Sequence, residues 1–171
     1  MSRSELHKTN RENYHYHSKF PEPWVTSLRR ELHSEFLSVW SGGTALDGIL
    51  TKLPPVVENS KIGRVAGRLP SKPEGISLWG KIYYTPNYPK VRNKYRAHHG
   101  HDAALIYEFG MYAHETYHAV EQILTGKSKW FIKYVLRLIK TPNAWKHPME
   151  IPAYDFQSKM KDIAASHLSN P

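Results

Sequence analysis

Residues 102–126, DAALIYEFGMYAHETYHAVEQILTG, carry the reading from which the rest of the chain is worked out. There is no proline from Ala103 to Leu124, Asp102 offers an N-cap side chain and Gly126 a stop, so the stretch predicts one long helix. At its centre stand His114 and His118, four residues apart, with Glu115 directly after the first. On a helix two such residues are separated by only about 40° around the axis and by one turn along it, so both imidazoles can reach a single ion. Eleven His and eleven Glu in 171 residues would produce this spacing in roughly one shuffled chain in twenty. The pattern therefore gains its weight from falling inside a helix, where metal chemistry needs it.

Downstream of Gly126, Ser128 caps a second helix, KWFIKYVLRLIK, from Lys129 to Lys140, ended by Thr141-Pro142. Lys129, Lys133, Arg137 and Lys140 fall on one stripe of it and Phe131, Val135 and Leu138 on another, a pattern that suits an anionic membrane surface but is first expected to pack its apolar stripe into the core. A last helix is expected from Glu150 or Ile151 to His167. Upstream, Gly75–Thr85 (GISLWGKIYYT) alternates and predicts a half-exposed edge strand, with Ile76, Leu78, Ile82 and Tyr84 on one side and Ile62–Leu69 as its partner. Pro86–His101 then reads as a basic loop. Before the strand, Leu28, Leu32, Phe36, Val39 and Trp40 recur at helical spacing from Thr26 to the Gly42-Gly43 stop, and a shorter helix is expected over Ala45–Leu53. Residues 1–20 are polar, rich in His and Tyr, and read as a loose N-terminal arm. The expected architecture is α+β, one domain over residues 21–171, with a three- or four-helix core and a small sheet.

Composition narrows the chemistry. With no cysteine there is neither a disulfide framework nor a thiolate site, so a metal would be held by His and carboxylate. No run of eighteen apolar residues and no apolar stretch near the N-terminus is present, so neither a membrane span nor a signal peptide is expected, and the location reads as cytoplasmic. The net charge of +9 is uneven: Lys61–His101 holds nine Lys/Arg against Glu74 alone, and Lys127–Lys146 holds six with no acid. Such clusters suit anionic partners but are common as solvated surface, so weak nucleic-acid binding at most is expected.

Two His leave a catalytic zinc one protein ligand short. Glu121 lies on the same helix face as both, seven residues after His114, but a full turn beyond His118, so it is expected behind the ligands rather than among them. Glu150, in His147-Pro148-Met149-Glu150-Ile151-Pro152-Ala153-Tyr154, is the better candidate, because a final helix packed on the first can deliver its carboxylate. Pro152 requires that Glu150 stand near that helix's cap. Tyr154 is a candidate donor to a tetrahedral oxyanion, with plain aromatic packing as the alternative. His98, His99 and His101 read first as loop histidines, with a role in substrate contacts as the alternative.

The series HETYH, then Gly126, Phe131 and Tyr134, then His-Pro-x-Glu-x-x-Ala-Tyr resembles the gluzincin clan, and in particular small minigluzincin-like domains, over about Gly75 to Gln157. That resemblance implies a zincin-like fold in which His114, His118 and Glu150 bind Zn2+, Glu115 is the catalytic base, and an edge strand lines the cleft. The chain departs from the pattern in carrying Glu121, with Gln122 one place later, where a Gln often follows the second His by three residues. It is also similar to SprT-like proteases, which act near DNA, but their third His follows the motif, where this chain has Gly126-Lys127-Ser128-Lys129. The expectation is a zinc-dependent endopeptidase acting on a peptide or protein. The rival is a non-catalytic basic binding module with a structural zinc.

Overall fold

Trp24, Val25, Leu28, Leu32 and Phe36 line one side of helix α1 (Glu22–Leu37) and are buried, as their three- and four-residue spacing requires. The helix starts a turn earlier than expected because Pro23 sits in its first turn, where a missing N–H costs little, while Trp24 N–H and Val25 N–H bond Pro21 O. The structure, a computed structural model, describes residues 14–15, 19–37, 43–69, 71–141 and 147–169. Among these, α1 is followed by α2 (Gly43–Thr51), α3 (Lys61–Ala66), α4 (Asn87–Thr125), α5 (Lys127–Lys140) and α6 (Glu150–Ser169). The strands are β1 (Tyr14–His15), β2 (Val56–Val57), β3 (Gly75–Leu78) and β4 (Lys81–Tyr84). The chain is thus mostly helical with one small sheet, an α+β arrangement. No helix among the described residues is long and apolar enough to cross a membrane.

The core joins α1, α2, α4 and α6. Phe109, Tyr112, Ala113, Tyr117 and Val120 of α4 meet Ala153, Phe156, Met160 and Ala164 of α6, and the Trp24 and Phe20 rings each lie 5.2 Å from Phe109. Truncating Phe109 here would cost about 3–5 kcal/mol in lost burial and cavity. Phe20 in this core, the Lys19–Glu108 ion pair at 2.8 Å and the pairing of β1 with β2 correct the expectation of a loose arm for those residues. Residues 1–13 and 16–18, like Val39 and Trp40, lie outside the described residues.

The sheet order is β1-β2-β4-β3, with β2 and β4 parallel and the other pairs antiparallel. The expected single strand is a hairpin: Leu78 pairs with Lys81, and Trp79 and Gly80, at φ 54° and 76°, form a two-residue turn of the kind that matches strand twist. The turn reverses the alternation, so Gly75, Ser77, Ile82 and Tyr84 share one face, in place of the Ile76, Leu78, Ile82 and Tyr84 grouping. The residues expected to form the partner strand are instead the short helix α3, to Ala66, and a turn through Leu69, the helix being started by Ser60, whose Oγ accepts from Gly63 N–H at 2.8 Å. β3 is left at one edge of the sheet.

Two further expectations are corrected. Residues 87–99 are helical rather than a loop, because Pro89 falls in the first turn, and α4 is interrupted only at Gly100, whose φ of 85° breaks the helix before it resumes through Thr125. The apolar stripe of α5 does not pack into the core: Phe131 and Val135 are exposed, and Trp130 and Tyr134 turn inward instead. The side chain of Leu138 lies outside the described residues.

Candidate metal centre

His114, Glu115 and His118 occupy the buried middle of α4, and Glu150 enters from the first turn of α6. Glu150 reaches that position because His147 starts the helix: its carbonyl accepts from Glu150 N–H at 2.9 Å and Ile151 N–H at 3.2 Å, and its Nδ1 from Met149 N–H at 3.2 Å. Pro152 therefore stands in the first turn, where N–H groups have few intrahelical partners, and does not kink the helix below Glu150. A carboxylate in the first turn is also favoured by the helix dipole.

Glu150 Oε2 lies 3.2 Å from His114 Nε2 and 3.2 Å from His118 Nε2. One ligand atom from each of the three residues falls within 4.8 Å of the others, and all three residues are buried. Glu115 and Glu150 bring two buried carboxylates to one place in a low-dielectric interior, where a cation offsets their charge. The same field acts on protons. Burial works against an imidazolium at His118, but the Glu121 and Glu150 carboxylates outweigh it and push the group up to about 10. Burial likewise raises the Glu150 carboxyl, but the contacts with His114 and His118 prevail and hold it well below the usual carboxylate range. The donor set, two imidazole nitrogens and one carboxylate oxygen, is one that zinc takes.

Glu121 sits elsewhere on His118. Its Oε2 is 3.7 Å from Nδ1, the nitrogen away from Glu150, and accepts from Trp130 Nε1 at 2.6 Å. It stands behind the ring, beyond hydrogen-bond distance, and does not share the point at which the two Nε2 atoms meet Glu150. Tyr134 holds Glu150, donating from its hydroxyl to Glu150 Oε1 at 2.9 Å. Trp130 and Tyr134 stack at 5.0 Å, and Tyr134 packs at 4.7 Å on His147, whose Nε2 has no hydrogen-bond partner among the described residues. Tyr154, half-buried, lies with its ring 4.7 Å from that of His114. Its phenol is pushed up to about 12, by burial first and then by Glu150 and Glu115, so it remains protonated.

Glu115 meets the sheet. Ser77 Oγ is 2.8 Å from Glu115 Oε2 and 2.5 Å from Glu115 O, and a Cβ placed on Gly75 would come within 3.1 Å of Glu115 Oε1. The small residues of β3 thus let the strand lie directly on the carboxylate. Gln122, fully buried, ties helix to hairpin by donating to Ser77 O at 2.7 Å and accepting from Gly80 N–H at 3.4 Å. His98, His99 and His101 are exposed on either side of Gly100, with His99 against Tyr95 at 4.5 Å. Sequence reasoning did not anticipate Ser77, Gln122, Trp130 or the tie from Tyr134. The only signal for the last two is their four-residue spacing on one face of α5. No protein-family model, curated protein or solved structure matches this chain.

Proposed function

We propose that the chain is a zinc-dependent hydrolase with a zincin-like site, acting as an endopeptidase. The observation that carries this reading is the buried meeting of His114 Nε2, His118 Nε2 and Glu150 Oε2 beside Glu115, a carboxylate that takes no part in that meeting. Zinc held by those three residues would acidify a water and polarise a carbonyl oxygen. Glu115 would accept the proton that the attacking water loses as its oxygen bonds to the carbonyl carbon. The same carboxyl then gives that proton to the amide nitrogen as the C–N bond breaks, leaving an acid and an amine. Ser77 Oγ, bonded to Glu115, keeps the carboxylate turned. Tyr154, beside His114, is the proposed donor to the developing oxyanion.

The edge strand supports a peptide as substrate. In the antiparallel pair, Glu74 O accepts from Thr85 N–H, and the alternation leaves the main-chain groups of Gly75 and Ser77 facing away from β4. Gln122 already takes the Ser77 carbonyl. The remaining edge groups lie beside Glu115, where an extended peptide adding to the strand would bring its own carbonyl close to the metal ligands.

The test is Glu115→Gln. A structural ion has no use for this carboxylate, so zinc content and fold should be unchanged, while peptide hydrolysis falls by roughly 100- to 10,000-fold. Cleavage of a peptide library by the parent, lost in the variant at equal zinc occupancy, is the expected result. Equal cleavage by both, or none by the zinc-loaded parent, would assign the site to the non-catalytic rival.

A further inference from the structure

Helix α5 has an inward face, Trp130 and Tyr134, committed to Glu121 and Glu150. Its outward face has no such use. Phe131, Ile132, Val135 and Leu136 are 49%, 59%, 36% and 57% exposed. At about 100° per residue they span a continuous arc of about 140°. Lys129, Lys133, Arg137 and Lys140 occupy the adjoining arc, about 80° wide, and Lys127 opens the helix. The chain has no acid from Lys127 to Lys146. A face that merely met water would mix polar groups of both signs through the arc. Here large apolar side chains are gathered together, with a stripe of cations along one side and no acid in the helix.

A second observation extends the patch. Trp79, at the tip of the β3–β4 hairpin, is 57% exposed in the positive-φ conformation that Asn or Gly adopts at less cost. Its neighbour Gly80 lies against the start of α5: a Cβ there would be 3.2 Å from Ile123 Cδ1 and 3.9 Å from Lys127 Cε. Ile123 is itself 36% exposed. The hairpin tip that carries the exposed Trp79 therefore lies beside the N-terminal end of the same helix.

We propose that α5 and the Trp79 tip dock this protein on an anionic lipid bilayer, the helix lying in the plane of the interface. Phe131, Ile132, Val135 and Leu136 would enter the boundary between headgroups and acyl chains, Lys129, Lys133, Arg137 and Lys140 would meet lipid phosphates, and Trp79 would anchor at headgroup level. A second copy of the chain fits less well, because pairing α5 with α5 would bring two cationic stripes together. A nucleic acid would use the cations but leave Ile132, Val135 and Leu136 without a partner. This inference does not depend on the metal reading, although it would hold the metal centre about one helix diameter from the bilayer.

The full chain is tested by flotation with vesicles of pure phosphatidylcholine and with vesicles containing about one-third phosphatidylglycerol. Binding to the anionic vesicles that weakens as salt rises, with little binding to the neutral ones, is expected. Lys129→Gln with Lys133→Gln should weaken it about 25-fold, about fivefold for each charge. Phe131→Ser, Ile132→Ser and Leu136→Ser together should abolish it with an unchanged circular dichroism spectrum, since these side chains face outward. Glu115→Gln should bind as the parent does, which separates this result from the fate of the peptidase reading. The proposal is overturned if the parent floats with neither vesicle, if it floats equally with both, or if the two sets of α5 variants bind like the parent. A concentration-dependent dimer that the triple Ser variant dissolves, without vesicle binding, would give the face to a second copy and overturn it equally.

Discussion

Replacing Tyr134 by Phe removes one oxygen from the support of Glu150, the proposed third zinc ligand, and leaves the ring in place. The ring keeps its stack on Trp130 at 5.0 Å and its contact with His147 at 4.7 Å, so packing is preserved. What is lost is the 2.9 Å hydrogen bond to Glu150 Oε1. Burial, and then the Glu150 charge, raise the Tyr134 hydroxyl well above its ordinary value, so it is a donor at any working pH. A hydrogen bond to a charged acceptor contributes about 1.5–3 kcal/mol. Glu150 is 7% exposed, so water cannot readily replace the donor. Freed of it, the carboxylate can turn away from the two imidazoles when no ion is bound, and the ion must restore its position. If the whole loss falls on metal binding, the zinc dissociation constant rises about 10- to 150-fold, in line with the effect of removing groups that orient metal ligands. Competition with a chromophoric chelator measures this, with helix content followed in parallel. Trp130→Phe should weaken zinc less, because the Glu121 carboxylate that it holds stands 3.7 Å from His118 Nδ1 and touches no other ligand nitrogen. A Tyr134→Phe protein with the parent's affinity, or a larger effect from Trp130→Phe, would refute the argument that Tyr134 positions Glu150.

Three further outcomes follow from the same geometry. Zinc at a hundred times its dissociation constant should stabilise the fold by about 2.7 kcal/mol, a rise of roughly 5–10 °C in thermal midpoint for a chain of this size; the rise should vanish with chelator and in a His114→Ala, His118→Ala double variant, and a shift that survives there would place the ion elsewhere. Glu150→Ala should weaken zinc by orders of magnitude and Glu121→Ala by about tenfold, and the reverse order, read by metal analysis, would make Glu121 the ligand. Gly75→Ala adds a Cβ about 3.1–3.3 Å from the Glu115 carboxylate and must displace it slightly; peptide turnover should fall about tenfold or more at unchanged zinc content, and unaltered turnover would mean that β3 does not govern the position of Glu115.

The long helices were legible because their periodicity is strong and their buried faces are continuous: Leu28, Leu32 and Phe36 in α1, and the HETYH segment of α4. The misreadings have local causes. Residues 87–99 carry Pro89 and a His-rich end, which look like loop until Pro89 is seen to occupy a first turn, where proline is tolerated. Ile62–Leu69 has the short mixed pattern in which strand and helix are hardest to separate, and Ser60, three residues before the N–H it caps, was the cue that decides it. The hairpin was hidden because Trp79 is an uncommon residue for a two-residue turn, and missing that turn put half of the strand's side chains on the wrong face.

The candidate site divides the same way, between what spacing reveals and what only packing reveals. Residues His114, Glu115 and His118 follow from the helix alone, and Glu150 from its place at the start of a later helix, since each needs only a period or a cap to be positioned. The groups that hold them come from elements whose neighbours no period specifies. Ser77 and Gly75 matter because the sheet edge happens to cross Glu115, and their smallness, the one visible sign, is shared with many strand residues. The pattern of α5 shows that it has an apolar face but not which surface covers it. Its eight apolar and aromatic residues between Trp130 and Ile139 form an arc too wide for one neighbour. In the fold, α4 takes Trp130 and the start of α6 takes Tyr134, leaving the Phe131 to Leu136 part outside. A helix whose inner face steadies Glu121 and Glu150 is thereby also the one whose outer face asks for a partner, so any surface that binds α5 from outside acts one side chain away from those two carboxylates.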